Sequence, residues 1–448
     1  MSGGLIHSGR QLAPLAWPVF VGQVAVLAFS TVDTLMLGRM SSQALAALAV
    51  GSAAYITVFV GLMGVVLAVG PLAGRLFGAK DLPAAGAQFI QAQWLAFLLA
   101  LPGMLLLAWP EPFIQLAALE PAVADQVRAY LRPMALALVP ALLFTAFRGF
   151  NTAVSRPKAV MVLQLGALAL KVPLTGWLVF GGGPMPALGA AGCGWATATV
   201  MGLQWLASRQ LLRRDGFYAQ FQLPRWRDSR PDRAALKSLL RLGLPMGGSI
   251  LVEVTGFTFM AFFIARLGAI PVAGHQIAVN LMSMMFMLPM ALSNAATSLV
   301  AQALGAQDLR LARQLGRHAL LWGLMIATVM GGLLALLREP VVGLYTRDAA
   351  AAAAALPLLV WVWFFHVADA VQTVSAGVLR AHHVATLPMV IYVLALWGVG
   401  IGGGYWLAFG GAGALGFWWS ATGGLGLSAL LLSGLQIWVE RGLLKPAG

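Results

Sequence analysis

Three carboxylates stand where carboxylates are rare. Glu253 lies inside SILVEVTGFTFMAFFIARLG, Asp33 inside AFSTVDTLMLG and Asp369 inside WFFHVADAVQTVSAG, while the other eleven of the chain's 14 acidic residues fall at or near predicted loops and termini. An ionisable group at membrane depth costs at least about 2.5 kcal/mol, so one that persists there usually lines a polar path or a binding site. Two chemistries suit such groups. A hard cation such as Na⁺ is bound by several oxygens, and carboxylates do this well beside amide carbonyls and hydroxyls. A desolvated carboxyl can instead carry a proton near neutral pH.

Polar neighbours extend the set. Asp369 shares a helical face with His366 and Thr373, with Ser375 nearby, and Gly256 and Phe257 follow Glu253. Gln276, Asn280 and Ser283 recur at i, i+4 and i+7 on a Met-rich segment. On this basis Glu253, Asp369, Gln276, Asn280 and Thr373 are the candidate coupling-cation ligands, with Glu253 and Asp369 as the metal ligands if the ion is Na⁺. The competing role for the amides and hydroxyls is hydrogen bonding between helices. Asp33, flanked by Thr31 and Thr34, is a second candidate for protonation or substrate binding. Lys171 in ALKVPLTG is the one lysine in the interior of a span, open to snorkelling, to pairing with an acid or to acting as a proton-linked switch. His366 is a candidate for proton transfer or metal binding, with a structural hydrogen bond as the competing role. The aromatic and methionine residues Phe257, Phe259, Met260, Phe262 and Phe263, with the cluster at 282–290, suit helix packing and, in part, an adaptable lipophilic cavity.

The elements that must hold these residues are membrane helices. The chain is 60% hydrophobic and 9% charged, with apolar runs along nearly all of its length. Twelve spans are expected, near 12–38, 44–72, 86–109, 126–151, 157–181, 187–211, 238–265, 271–300, 311–336, 353–380, 386–409 and 412–438. Lipid offers no hydrogen bonds to the backbone, so each is a helix. The net charge of +14 does not point to nucleic acid, because Arg and Lys gather in alternate loops rather than in a basic domain. The connection 209–241 is the richest of these, and its side, with both termini, is expected to be cytoplasmic. The N-terminus runs from Arg10 into a span with no small-residue cleavage site and reads as retained. One cysteine, Cys193, excludes an internal disulfide.

The chain repeats internally. Gly78-Ala79-Lys80-Asp81-Leu82 matches Gly305-Ala306-Gln307-Asp308-Leu309 at a shift of 227, which also carries Pro18 onto Pro245 and Arg39 onto Arg266. A shift of 224 carries Gly189, Gly192 and Trp195 onto Gly413, Gly416 and Trp419. The expected organisation is an N-lobe at 1–211, a basic cytoplasmic linker at 212–237 and a C-lobe at 238–448, in parallel topology. The shift of 227 sets Glu253 against Val26 and Asp33 against Met260, so the halves are expected to share a scaffold and differ in chemistry.

Walker A, GxSxG, HExxH and zinc-ligand spacings are all missing, so an enzyme is not expected and no cofactor is implied. Gly181-Gly182-Gly183 and Gly402-Gly403-Gly404 read as helix ends.

The combination of VDTLMLG (32–38), LPMGGSILVEVTGF (244–257), AGHQIAVNLMSMMFMLPMALSNAATSLVAQALG (273–305) and ADAVQTVSAGVLR (368–380) resembles the MATE family of multidrug and toxic compound extrusion transporters, in particular its bacterial NorM branch. The resemblance implies an all-α membrane protein of twelve helices, arranged as a V-shaped pair of six-helix lobes in the bacterial inner membrane. It implies export of small lipophilic cations in exchange for Na⁺ or H⁺, by a chain expected to be monomeric. It further implies that Glu253 and Asp369 form the C-lobe cation site and that Asp33 is the N-lobe acid. Phe365, four residues before Asp369, stands where some relatives carry a Tyr near the cation. The alternative function is a lipid-linked-oligosaccharide flippase of the same superfamily, whose pyrophosphate cargo would call for Arg or Lys in the cavity.

Overall fold

The structure is a computed structural model that describes residues 2–116, 119–182, 184, 186–224 and 229–442. Among these residues ten helices are long and apolar enough to cross a membrane. The first half of the chain forms α1 (Ser2–Gly38), α2 (Ser42–Val66), α3 (Val69–Gly78), α4 (Leu82–Ala108), the short α5 (Glu111–Leu116), α6 (Pro121–Ala153), α7 (Pro157–Phe180) and α8 (Ala190–Arg214). The second half forms α9 (Arg233–Ala265), α10 (Ala269–Gly305), α11 (Leu309–Leu336), the short α12 (Arg338–Tyr345), α13 (Ala349–Ala381), α14 (Thr386–Tyr392), α15 (Gly404–Leu407) and α16 (Gly413–Gly442). α8 is the least apolar of the long helices because Arg209, Arg213 and Arg214 fall in its last two turns. The stretch Thr386–Gly442 is interrupted by the left-handed Gly411 and by Gly413 at φ +58°. Counting α8 as a span and this stretch as two makes the architecture consistent with the twelve expected passes.

The internal repeat survives as local geometry. Lys80 and Gln307 both adopt left-handed backbone, at φ 60° and 61°. The next residue then donates its N–H five residues back, from Asp81 to Leu76 at 3.0 Å and from Asp308 to Ala303 at 2.9 Å. Each aspartate goes on to cap the following helix, accepting from the Ala84 and Leu311 amides at 3.2 and 2.9 Å. A second pair of turns, with Ser155 at φ 61° and His383 at φ 60°, repeats the left-handed turn two loops later in each half.

Compactness divides the chain into 21–247 and 1–20 with 248–448. The cuts lie inside α1 and α9, 227 residues apart, two residues after Pro18 and Pro245. In the second unit Leu12 and Leu15 of α1 join a core with Leu292, Ala296, Leu315 and Val378. In the first, a Cβ on Gly247 of α9 would stand 2.7 Å from the Gly61 carbonyl of α2. The division at 211 and 238 is one of chain order, whereas the compact units each include the leading half-helix of the opposite repeat. Within unit 21–247, α6 is the central helix and packs against α8, α4 and α2. Its counterpart α13 packs against α10, α16 and α11. Asp369 therefore lies on the best-packed helix of its half.

The connection between the repeats is anchored. After α8 a 3₁₀ turn, Gly216–Phe221, buries Tyr218 and Phe221 against Phe150 and its neighbours. Further on, Gln91 donates to the Arg230 carbonyl at 2.9 Å and accepts from the Asp232 amide at 2.8 Å. Arg225 and Arg227 of this basic connection lie outside the described residues.

The halves differ in one stretch that bears on the site. Where the N-half has the regular α7, the C-half has the π-helical segment Val393–Gly403, and a second follows at Ala408–Ala412. π turns are rare and occur often at functional sites. Here the first supplies Leu396, Gly400 and Ile401 to the cavity beside Glu253, and Trp397 within it donates to the Val252 carbonyl at 3.1 Å.

Candidate functional site

In the C-half, α9 and α13 bring two acids to one amide. The Gln372 side-chain nitrogen donates to Asp369 Oδ1 at 2.9 Å and reaches Glu253 Oε1 at 3.5 Å, the outer limit of a hydrogen bond. Gln372 is fully buried, Asp369 is 4% exposed, and Glu253 is partly buried. Among the described residues the Gln372 carbonyl oxygen and the buried Ser375 hydroxyl have no hydrogen-bond partner, which leaves oxygen donors unused on the same helix. Glu253 opens on a cavity of about 30 Å³ walled by Gly256, Phe257, Phe365, Gly400 and Ile401. That volume admits an ion or a water and falls an order of magnitude short of a drug-sized pocket of about 300 Å³. Phe365 supplies an apolar wall, its ring 5.7 Å from Phe257 and 5.5 Å from Trp418.

The N-half uses a different device. The Lys171 ammonium on α7, fully buried, lies 2.8 Å from Asp33 Oδ1 and donates to Oδ2 at 3.0 Å. It also donates to Thr197 Oγ1 of α8 at 2.6 Å, and that hydroxyl donates to the Cys193 carbonyl at 2.9 Å. The Phe29 ring lies under the ammonium at 5.4 Å. Thr31 and Thr34, the neighbours of Asp33, hydrogen-bond back to carbonyls of their own helix and are exposed. Met260, which takes the place of Asp33 in the second repeat, is buried in an apolar cluster. The halves thus share a scaffold and differ in chemistry.

The remaining expected residues distribute as follows. Gln276 and Asn280 are exposed and line no part of the Glu253 cavity; Asn280 accepts from the Tyr345 hydroxyl at 2.7 Å. Thr373 does not line that cavity either; its backbone carbonyl accepts from the Ser293 hydroxyl at 2.7 Å. His366 is fully buried, and among the described residues neither ring nitrogen has a hydrogen-bond partner. Gln372 and Thr197 are the site residues that sequence reasoning passed over. Gln372 lies three residues after Asp369, a spacing that places both on one face. Thr197 is one of many hydroxyls in α8 and carries no comparable signal.

A sequence model of the MatE family matches residues 18–177 and again 245–406, so both halves are recognised and the two matches begin 227 residues apart. The chain belongs to the MatE family. The chain is 41% identical over 400 residues to the probable multidrug resistance protein NorM of Aromatoleum aromaticum, covering 88% of this chain and 84% of that protein. It is 35% identical over 401 residues to the multidrug resistance protein PmpM of Pseudomonas aeruginosa, covering 88% and 83%. In fold it superposes on the eukaryotic MATE transporter AtDTX14 with a TM-score of 0.88 at 19% identity, over 98% of this chain and 99% of that one. It superposes equally on the bent form of the Vibrio cholerae MATE transporter VcmN, with a TM-score of 0.88 at 17% identity over 98% and 99%. As a MatE family member with NorM relatives, the chain has the NorM-like helical fold that its four motifs imply.

Proposed function

We propose that this MatE protein is a multidrug efflux transporter of the bacterial inner membrane, exporting small lipophilic cations by exchange for Na⁺ or H⁺. The observation that carries the reading is the pair Glu253 and Asp369 sharing the Gln372 amide beside a cavity sized for an ion. Two carboxylates in a low-dielectric interior repel, and a cation that reaches them relieves the repulsion. Na⁺ does so by coordinating their oxygens with the unused Gln372 carbonyl, and H⁺ does so by bonding to one of them. Entry of that ion from outside favours the state that releases drug, and the membrane potential adds ~2.3 kcal/mol per charge per 100 mV. Asp33 is the N-half acid for protonation or substrate. The chain works as a monomer with both termini in the cytoplasm, by alternating access of its two repeats. A flippase for a pyrophosphate-linked lipid needs unpaired basic groups at depth, and Lys171 is already committed to Asp33.

Purified protein in liposomes, loaded with a fluorescent lipophilic cation, is tested against an imposed Na⁺ gradient and, separately, a pH gradient. One of the two drives dye movement, and Glu253→Gln and Asp369→Asn each abolish it. Dye that moves under neither gradient, or moves unchanged in both variants, overturns the proposal.

A further inference from the structure

The basic end of α8 is more than a topology signal. Arg209 and Arg213 lie one turn apart on one face, and both border two adjoining hollows. The larger, about 1010 Å³, is lined by Phe89, Ile90, Leu223 and the buried Tyr218. The smaller, about 500 Å³, runs along Leu203 and Leu206, which are 46% and 52% exposed. Like charges one helical turn apart repel, so the pair calls for an anion. Asp215 also lines the larger hollow, but it is held by the Arg156 guanidinium and the Phe217 amide. Among the described residues neither Arg209 nor Arg213 has a carboxylate within 4 Å; Arg209 rests on the Trp205 ring at 5.2 Å. Arg214, the third arginine of the hollow, is engaged by the Gln210 side-chain oxygen at 2.6 and 2.8 Å.

We infer that this double hollow is a binding site for one anionic glycerophospholipid, its phosphate between Arg209 and Arg213 and an acyl chain along Leu203 and Leu206. The shape decides between a soluble anion and a lipid. An inorganic phosphate needs the guanidiniums alone, whereas an amphiphile uses both the cationic head site and the apolar groove that shares its two arginines. Basic pockets between membrane helices are suited to phospholipid head groups, and guanidinium binds phosphate through two parallel hydrogen bonds. The site lies wholly within one compact unit and is separate from the carboxylates of the export cycle. Its occupancy is therefore independent of the drug-export reading.

The test is native mass spectrometry of the purified full-length protein in a neutral detergent. It is titrated in turn with phosphatidylglycerol, phosphatidylcholine, glycerol phosphate and inorganic phosphate. One phosphatidylglycerol is retained in preference to phosphatidylcholine, and Arg209→Gln with Arg213→Gln weakens it by about tenfold or more. The Arg209→Lys with Arg213→Lys protein keeps part of that preference, and Arg310→Gln at the start of α11 leaves it unchanged. Equal retention of the two lipids, or undiminished phosphatidylglycerol binding in the glutamine variant, overturns the inference. Glycerol phosphate or inorganic phosphate binding as tightly as the lipid also overturns it, and assigns the hollow to a soluble anion. If the double variant does not fold, the single Arg213→Gln change, at an exposed position, gives the same reading.

Discussion

The Lys171 ammonium lies 2.8 Å from Asp33 Oδ1, across 138 residues of sequence and away from water. This contact turns the most expensive residue of α7 and the conspicuous acid of α1 into a neutral pair. Removing one member of such a pair leaves a buried charge unmatched, at about 3–5 kcal/mol, whereas replacing both can be nearly neutral. Lys171→Met and Asp33→Asn should each lower the thermal unfolding midpoint of the detergent-solubilised protein. The double variant should recover most of that loss. Singles as stable as the parent, or a double variant that loses the sum of both, would show that the pair is not coupled.

Gln372 orients the C-half acids without being one of them. Its nitrogen donates to Asp369 and reaches Glu253, and its carbonyl oxygen is left for a cation. Groups that orient metal and ion ligands typically contribute about 10–100-fold to affinity. Gln372→Leu keeps the volume and removes both functions, so the half-saturating concentration of the driving cation should rise by about tenfold. Transport with an unchanged cation dependence in Gln372→Leu would remove Gln372 from the site.

Which parts of this could be read in the sequence follows from how unusual each residue is where it stands. Glu253, Asp369 and Asp33 were legible because a carboxylate within an apolar run has few structural uses. Lys171 was conspicuous for the same reason, but its partner is remote in sequence and only the packing of α1 against α7 and α8 reveals it. The stripe Gln276, Asn280 and Ser283 shows that one side of α10 is polar, not where that side faces; Gln276 and Asn280 are exposed. Gln372 was missed because amides are common in membrane helices, and nothing local marks one that bridges two acids. The repeat was legible in the loops, where left-handed turns and aspartate caps demand particular residues. The half-helices that join the opposite compact unit were not, because that pairing is made by long-range packing alone.

The same repeat makes a stability prediction at two glycines. A Cβ on Gly192 of α8 would stand 2.6 Å from the Leu178 carbonyl oxygen, and one on Gly416 of α16 would stand 2.7 Å from the Ala408 nitrogen. In both cases the obstacle is the backbone of the preceding span, which cannot swing aside as a side chain can. Alanine at either site should destabilise by about 1–3 kcal/mol through overpacking. Gly202→Ala, where nothing lies within 4 Å, should be neutral or slightly stabilising. Thermal unfolding of the three single variants in one detergent checks this, and equal midpoints for all three would contradict it.

Asp215 sets the expected response to acid. The Phe217 amide, which donates to Oδ1 at 2.9 Å, and next the Arg156 guanidinium hold its carboxyl below the usual carboxylate range. A group whose pKa is depressed on folding contributes stability above its unfolded value, about 3.9 for Asp. That contribution disappears as the pH falls through the lower folded value. Asp215 ties the start of the 3₁₀ turn to the N-terminus of α7, so its protonation should loosen the connection between the repeats first. Asp215→Asn should cost stability at pH 7 and flatten the dependence below about pH 4, bringing variant and parent together at the acid end. Proteolytic cleavage of 212–237, followed by mass spectrometry, with a neutral protease at pH 7 and an acid-active one below about pH 4, reads the loosening directly. Cleavage that is equal in the two proteins at pH 7 would show that the Asp215 contacts do not anchor the turn.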